Sequence, residues 1–79
     1  MQTSLYIDGL PVDFTDEELR RLVQPYGTVL VAMMTVSSKD PGHGRGYIQM
    51  LTGREAAAAK VDLHRTPVHG NEIVVFFDE

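Results

Sequence analysis

No stretch constrains this chain more than Arg45-Gly46-Tyr47-Ile48-Gln49-Met50. It follows a loop from Ser37 to Gly44, built from Ser, Lys, Asp, Pro, Gly and His, which ends an earlier apolar run. From Gly46 the residues alternate, so that Tyr47 and Gln49 point to one face of a strand and Ile48 and Met50 to the other. The Ile and Met side is a core face. The opposite side carries an arginine, a tyrosine and a glutamine in that order.

The flanking segments supply partners for this strand. Leu5 and Ile7 alternate with Tyr6 and Asp8, which reads as a first strand over residues 4–8, with Pro11 stopping further pairing. Tyr6 taken alone is a strand-favoured aromatic on a half-exposed face. Thr15 and Glu18 form a capping box, with Phe14 and Leu19 at the positions of a hydrophobic staple. Leu19, Leu22, Val23 and Tyr26 continue as one helical stripe, ended by Pro25 and Gly27. The acids Asp16, Glu17 and Glu18 suit the positive end of that helix, so they are a helix start before they are a binding patch.

Thr28 to Val36 reads as a second strand in which Met33 and Met34 face opposite ways, leaving one methionine on the exposed side. Asp40-Pro41-Gly42 signals a turn in a long hairpin loop from Val36 to Gly44. Thr52 and Glu55 make a second capping box for a helix over 53–64, with Ala56, Ala59 and Leu63 on one stripe. Lys60 lies at the edge of that stripe and reaches along it to water. Residues 66–71 are a turn region and 72–77 the last strand. With Ile73 and Val75 toward the core, Val74 and Phe76 join the face of Tyr6 and Tyr47; a slip of one residue puts Phe77 there instead.

A length of 79 residues fits a single domain over 1–79. There is no cysteine for a disulfide or thiolate zinc site, and no apolar run approaches the ~20 residues of a membrane span. Met1 opens no basic-then-apolar leader, so the reading is a soluble, cytoplasmic domain with no membrane partner. His43, His64 and His69 are scattered over a loop, a helix end and a turn, in no zinc spacing. Gly42-His43-Gly44-Arg45-Gly46 lacks the helix that follows a nucleotide loop. Asp8 and Asp13 read as strand-end and turn polar residues rather than an acid–base pair. No catalytic residue, metal site or cofactor is expected, and the chain is read as a non-enzyme.

The chemistry of the exposed face points elsewhere. A guanidinium beside aromatic rings suits a single-stranded nucleic acid, because phosphate attracts charge and an unstacked base attracts a π-face. Seven Lys and Arg against eleven Asp and Glu, a net charge of −4, argue against strong sequence-independent attraction to phosphate.

Strand, helix, strand, strand, helix, strand is the order of a ferredoxin-like α+β plan. Within it, the chain resembles a domain of the RNA recognition motif family across essentially its whole length. Leu5-Tyr6-Ile7-Asp8-Gly9-Leu10 is similar to the family's first-strand hexamer, with Gly9 in place of the usual Asn. Arg45-Gly46-Tyr47 matches the opening of the family octamer and Met50 keeps its apolar sixth position, while the small residue of the fourth position and the aromatics of the fifth and eighth are missing. Glu18 to Val29 resembles the family's first helix and its aromatic-Gly exit, and Gly70 the approach to the fourth strand. As a minimal chain it looks like the small stand-alone bacterial proteins of this family, or equally like a piece of a longer protein.

The resemblance implies a βαββαβ sandwich, a four-stranded antiparallel sheet with both helices on one face. It implies that Tyr6 and Tyr47 stack bases side by side and that Arg45 contacts the phosphate backbone. Gln49 stands where the family carries a third aromatic, and still offers hydrogen bonds to a base edge or sugar. Met33 and Phe76 extend the platform, and Lys39 and His43 add loop contacts. The expected ligand is single-stranded RNA, with single-stranded DNA left open. The competing reading is a protein-interaction or self-association domain, a homodimer included, that uses the same apolar face.

Overall fold

Two capping boxes fix where the helices begin. In the computed structural model, which describes residues 2–36 and 42–78, the Glu18 amide donates to Thr15 Oγ1 and the Thr15 amide to Glu18 Oε1, both at 3.1 Å. Thr52 and Glu55 repeat the exchange at 3.0 and 3.2 Å. Each cap satisfies amides that the first helical turn leaves without partners, typically worth about 0.5–2 kcal/mol. The elements are β1 (Ser4–Pro11), α1 (Asp16–Val23), β2 (Val29–Val36), β3 (His43–Met50), α2 (Gly53–Leu63), β4 (Pro67–Val68), β5 (Asn71–Glu72) and β6 (Val74–Phe77). A 3-10 turn, Gln24–Tyr26, carries α1 into Gly27.

The main sheet has the order β2-β3-β1-β6 with every neighbouring pair antiparallel. One face is covered by both helices: Leu5, Ile7, Ile48, Met50 and Val75 from the strands meet Leu19, Val23, Ala56, Ala59 and Leu63 from the helices. This is the ferredoxin-like βαββαβ sandwich. Fully burying a Leu, Ile or Met side chain contributes about 1.5–3 kcal/mol, so this cluster is what holds the sheet to the helices. The three acids of the first turn of α1 are all engaged structurally. Glu18 is in the box, Asp16 Oδ1 accepts from the Met34 amide at 2.8 Å, and Glu17 pairs with Arg21 at 3.4 Å.

Several boundaries differ from the sequence reading. β1 runs on to Pro11, which pairs with His43 at the strand end. A bulge makes this continuation workable: Ile7 opposes Gly46 and Leu10 opposes Gly44, so three steps on β1 match two on β3. The extra residue turns Leu10 back to the core face, where it is fully buried. Gly9 sits in this bulge at φ 90°, and a Cβ there would come within 2.9 Å of the Glu72 carbonyl oxygen. β3 begins at His43, not after it, so His43 is a strand residue paired with Pro11 and not a loop residue.

The expected last strand is split. Residues 67–72 form a small hairpin, β4 with β5, around His69 and Gly70 at φ 50° and 86°. Two successive positive φ values suit the tight turn that matches strand twist. β6 starts only at Val74, because Ile73 turns its backbone outward to Arg65 and Thr66 at 2.8 and 3.0 Å. His64 Nδ1 accepts from the Val75 amide at 3.1 Å. These contacts engage outward backbone groups of Ile73 and Val75, where β6 begins.

Candidate nucleic-acid interface

The face of the sheet away from the helices carries its side chains in rows that follow the register. Met33 pairs with Tyr47, Tyr47 with Tyr6, and Tyr6 with Phe76, so one row crosses all four strands. The ring centroids of Tyr6 and Tyr47 are 5.3 Å apart with planes tilted by 54°, and those of Tyr6 and Phe76 5.8 Å apart with a tilt of 32°. These spacings are typical of aromatic pairs in contact. All three rings are half-buried, and Met33 is 47% exposed at the β2 end of the row. The Tyr47 hydroxyl donates to Ser4 Oγ at 3.2 Å, which fixes the ring tip on the neighbouring strand.

On one side of this row lie Val31, Gln49 and Ser4, also cross-strand partners. Gln49 is half-buried there, one strand position along from Tyr47 on the same face. On the other side lie Thr35, Arg45, Asp8 and Val74. The parity of β6 is the expected one: Val75 is buried and Phe76 joins the open face. Phe77 packs against the core with the Lys60 ammonium 5.7 Å from its ring centroid.

Gly46 explains the glycine between the arginine and the tyrosine. It points to the helices, and Leu19 of α1 lies where its side chain would be. Its role is to let α1 approach β3, which keeps Arg45 and Tyr47 on the other face at fixed height.

Arg45 is the only Lys or Arg among the described residues of the open face, and it has a partner that the sequence reading missed. Its Nε donates to Asp8 Oδ1 at 2.6 Å and its Nη2 to Asp8 Oδ2 at 3.0 Å. The guanidinium carbon also lies 5.3 Å from the Tyr6 ring centroid and 5.5 Å from that of Phe76. The hydrogen bond to Asp8, more than its Coulomb attraction, raises the Arg45 pKa above its already high value, so the group stays charged. The two residues stand on neighbouring strands with the same facing, which is the signal that could have found the pair.

Of the residues expected at the site, Tyr6, Tyr47, Gln49, Arg45, Met33 and Phe76 come together on this face. His43 lies at the start of β3 beside Pro11. Lys39 is outside the described residues. Among the described residues no three His, Asp or Glu converge as a metal would require, and no helix is long and apolar enough to cross a membrane. A concavity of about 510 Å³ lies on the helical side, lined by Phe14, Leu22, Val68 and His69 among others. None of the row residues lines it. The candidate site is therefore a flat face, which suits splayed bases better than an enclosed small molecule.

Comparison with known proteins agrees with this geometry. The family described as RNA recognition motif matches residues 5–74. Human scaffold attachment factor B2 is 33% identical over 73 residues, which cover 91% of this chain and 8% of that protein. The chain thus spans less than a tenth of that relative's length. Among solved structures, the Sex-lethal RNA recognition domains 1 and 2 from Drosophila melanogaster superpose with a TM-score of 0.85 at 23% identity, over 98% of this chain and 50% of that one. The Rna15 RRM with bound RNA (GU) superposes with a TM-score of 0.83 at 18% identity, over 99% and 84%. The two of these with a stated source are eukaryotic, so the expected likeness to small bacterial proteins gains no support here. With a family match over nearly all its length and that family's fold, the chain belongs to the RNA recognition motif family.

Proposed function

We propose that this chain binds single-stranded RNA on the open face of its sheet. The observation that carries the proposal is the unbroken row Met33, Tyr47, Tyr6, Phe76, in which each residue is the cross-strand partner of the next on the solvent side. Bases stack on Tyr6 and Tyr47, with Phe76 and Met33 prolonging the apolar surface at either end. Gln49 offers hydrogen bonds to a base edge or a ribose, in the slot where the family carries an aromatic. Arg45 is the only described Lys or Arg of this face, and its guanidinium lies beside the Tyr6 and Phe76 rings, paired with Asp8. Each stacked base is worth about 1–3 kcal/mol, so two stacking tyrosines with Gln49 in place of the family's aromatic give a module of modest affinity.

The test is fluorescence anisotropy with a labelled pool of random single-stranded RNA, run with wild type and Tyr47→Ala at low and physiological salt. Tyr47→Ala is expected to weaken binding about ten-fold or more. Absence of wild-type binding at tens of micromolar protein in low salt would overturn the proposal. A DNA pool of the same length, run alongside, decides whether the ribose hydroxyl matters.

A second reading is favoured by one observation: Met33 and Val74, at 47% and 42% exposure, make the ends of the face apolar. Such a patch suits a protein partner or a second copy of the chain. Apolar association of that kind needs no nucleic acid, so it would show as a dimer or a protein complex in the absence of RNA.

A further inference from the structure

The bulge in β1 has a consequence for charge on the open face. With Ile7 opposite Gly46 and Leu10 opposite Gly44, Asp8 and Gly9 together oppose Arg45. That register delivers the Asp8 carboxylate to the side of the guanidinium at 2.6 and 3.0 Å. The pair is not loose surface pairing: the side chains are 29% and 34% exposed, and the guanidinium rests near the Tyr6 and Phe76 rings at 5.3 and 5.5 Å. Three groups, the Asp8 carboxylate and the Tyr6 and Phe76 rings, therefore define one position for the face's only described Lys or Arg.

We propose that Asp8 determines specificity on this face: by holding Arg45 against Tyr6 and Phe76 it withholds the cation from phosphate, so that binding depends on bases and not on the backbone. The inference rests on the RNA-binding reading. A phosphate that approaches Arg45 within contact distance also meets the Asp8 carboxylate. It must either displace that carboxylate from a bidentate pair or share the guanidinium with a like charge beside it. The charge of the face contributes almost nothing, in a chain whose net charge is already −4. A base meets no such opposition, because stacking on Tyr6 and Tyr47 needs no charge.

Freeing Arg45 adds one phosphate contact. For a single strand, each such contact steepens the dependence of log K on log salt by about 0.7, which is a gain of about fivefold in affinity at roughly 0.1 M salt. The experiment measures binding of a uridine octamer and of an abasic ribose-phosphate octamer across a salt series. The proteins are wild type, Asp8→Asn, Asp8→Ser, Asp8→Asn combined with Arg45→Ala, and Glu17→Gln as a control that removes one negative charge from the helical side. Both Asp8 variants are expected to bind the abasic oligomer about fivefold more tightly near 0.1 M salt, with a slope steeper by about 0.7. The gain should vanish in the double variant and be absent in Glu17→Gln, and the preference for the base-bearing octamer should fall. If wild type binds the uridine octamer while folded Asp8 variants show an unchanged slope or weaker binding, the proposal is overturned and the RNA reading stands. If no variant binds either oligomer, both fall together.

Discussion

A single methyl group at Gly46 should unsettle the whole sheet without touching its open face. A Cβ built there lies 2.8 and 2.9 Å from the two Leu19 methyl carbons and 3.1 Å from Leu10 Cδ1. Ordinary carbon contacts need about 3.5–4.0 Å, so the neighbours must retreat by roughly 1 Å. Flexible side-chain ends often do so at little cost, but Leu19 and Leu10 are both fully buried and packed on every side. Overpacking of this kind costs about 1–3 kcal/mol. The alanine recovers about 0.4–1 kcal/mol by stiffening the unfolded chain. The net expectation for Gly46→Ala is a loss of about 1–2 kcal/mol, or a fall in Tm of about 5–15 °C for a domain of this size. Thermal and urea unfolding measure it, and the RNA affinity of the folded protein should not change. Leu19→Ala, which removes the obstructing methyls, should couple with Gly46→Ala, so that the double variant loses about 1 kcal/mol less than the sum of the singles. A fall of less than about 2 °C, or strict additivity, would refute the packing argument.

Glu55 Oε2 accepts from the Thr28 amide at 2.8 Å, the main reason its pKa is held below the usual carboxylate range. A lowered folded-state pKa gives stability that is complete above the unfolded value and disappears as pH falls through the folded one. Glu55→Gln should therefore be less stable than wild type at neutral pH and lose less on acidification, as read by urea midpoints at about pH 7 and pH 3; equal acid losses in the two proteins would contradict this. Gln49→Phe, which restores a third ring beside Tyr47, should tighten RNA binding by about ten- to a hundredfold in anisotropy titrations, and unchanged or weaker binding would count against stacking in that slot.

What was legible in the sequence was what short-range physics decides. Thr15 with Glu18 and Thr52 with Glu55 mark helix starts within four residues. The alternation around Tyr6, Tyr47 and Phe76 assigns each ring a face once the partner positions are core. The bulge at Gly9 was not legible, because its reason is the Glu72 carbonyl, brought there by the other end of the chain. Without the bulge, Leu10 has the parity of Tyr6 and Asp8, and Pro11 reads as a stop. The split of the last strand has the same origin: the partners of Ile73 are the backbones of Arg65 and Thr66, which a strand pattern does not encode. Asp8 and Arg45 are 37 positions apart, and only the register of β1 against β3 makes them neighbours. The candidate site was therefore readable as a set of side chains, and its electrostatics were not.

A map of where RNA touches the chain tests the sheet-face platform most directly. In an ¹⁵N-resolved NMR titration with short random single-stranded RNA, amide shifts should concentrate on β1, β3 and β6 around Tyr6, Tyr47, Gln49 and Phe76, with α1 and α2 almost still. Shifts confined to the helices, or none under low salt at RNA in excess over tens of micromolar protein, would contradict the claim that the open sheet face is an RNA platform.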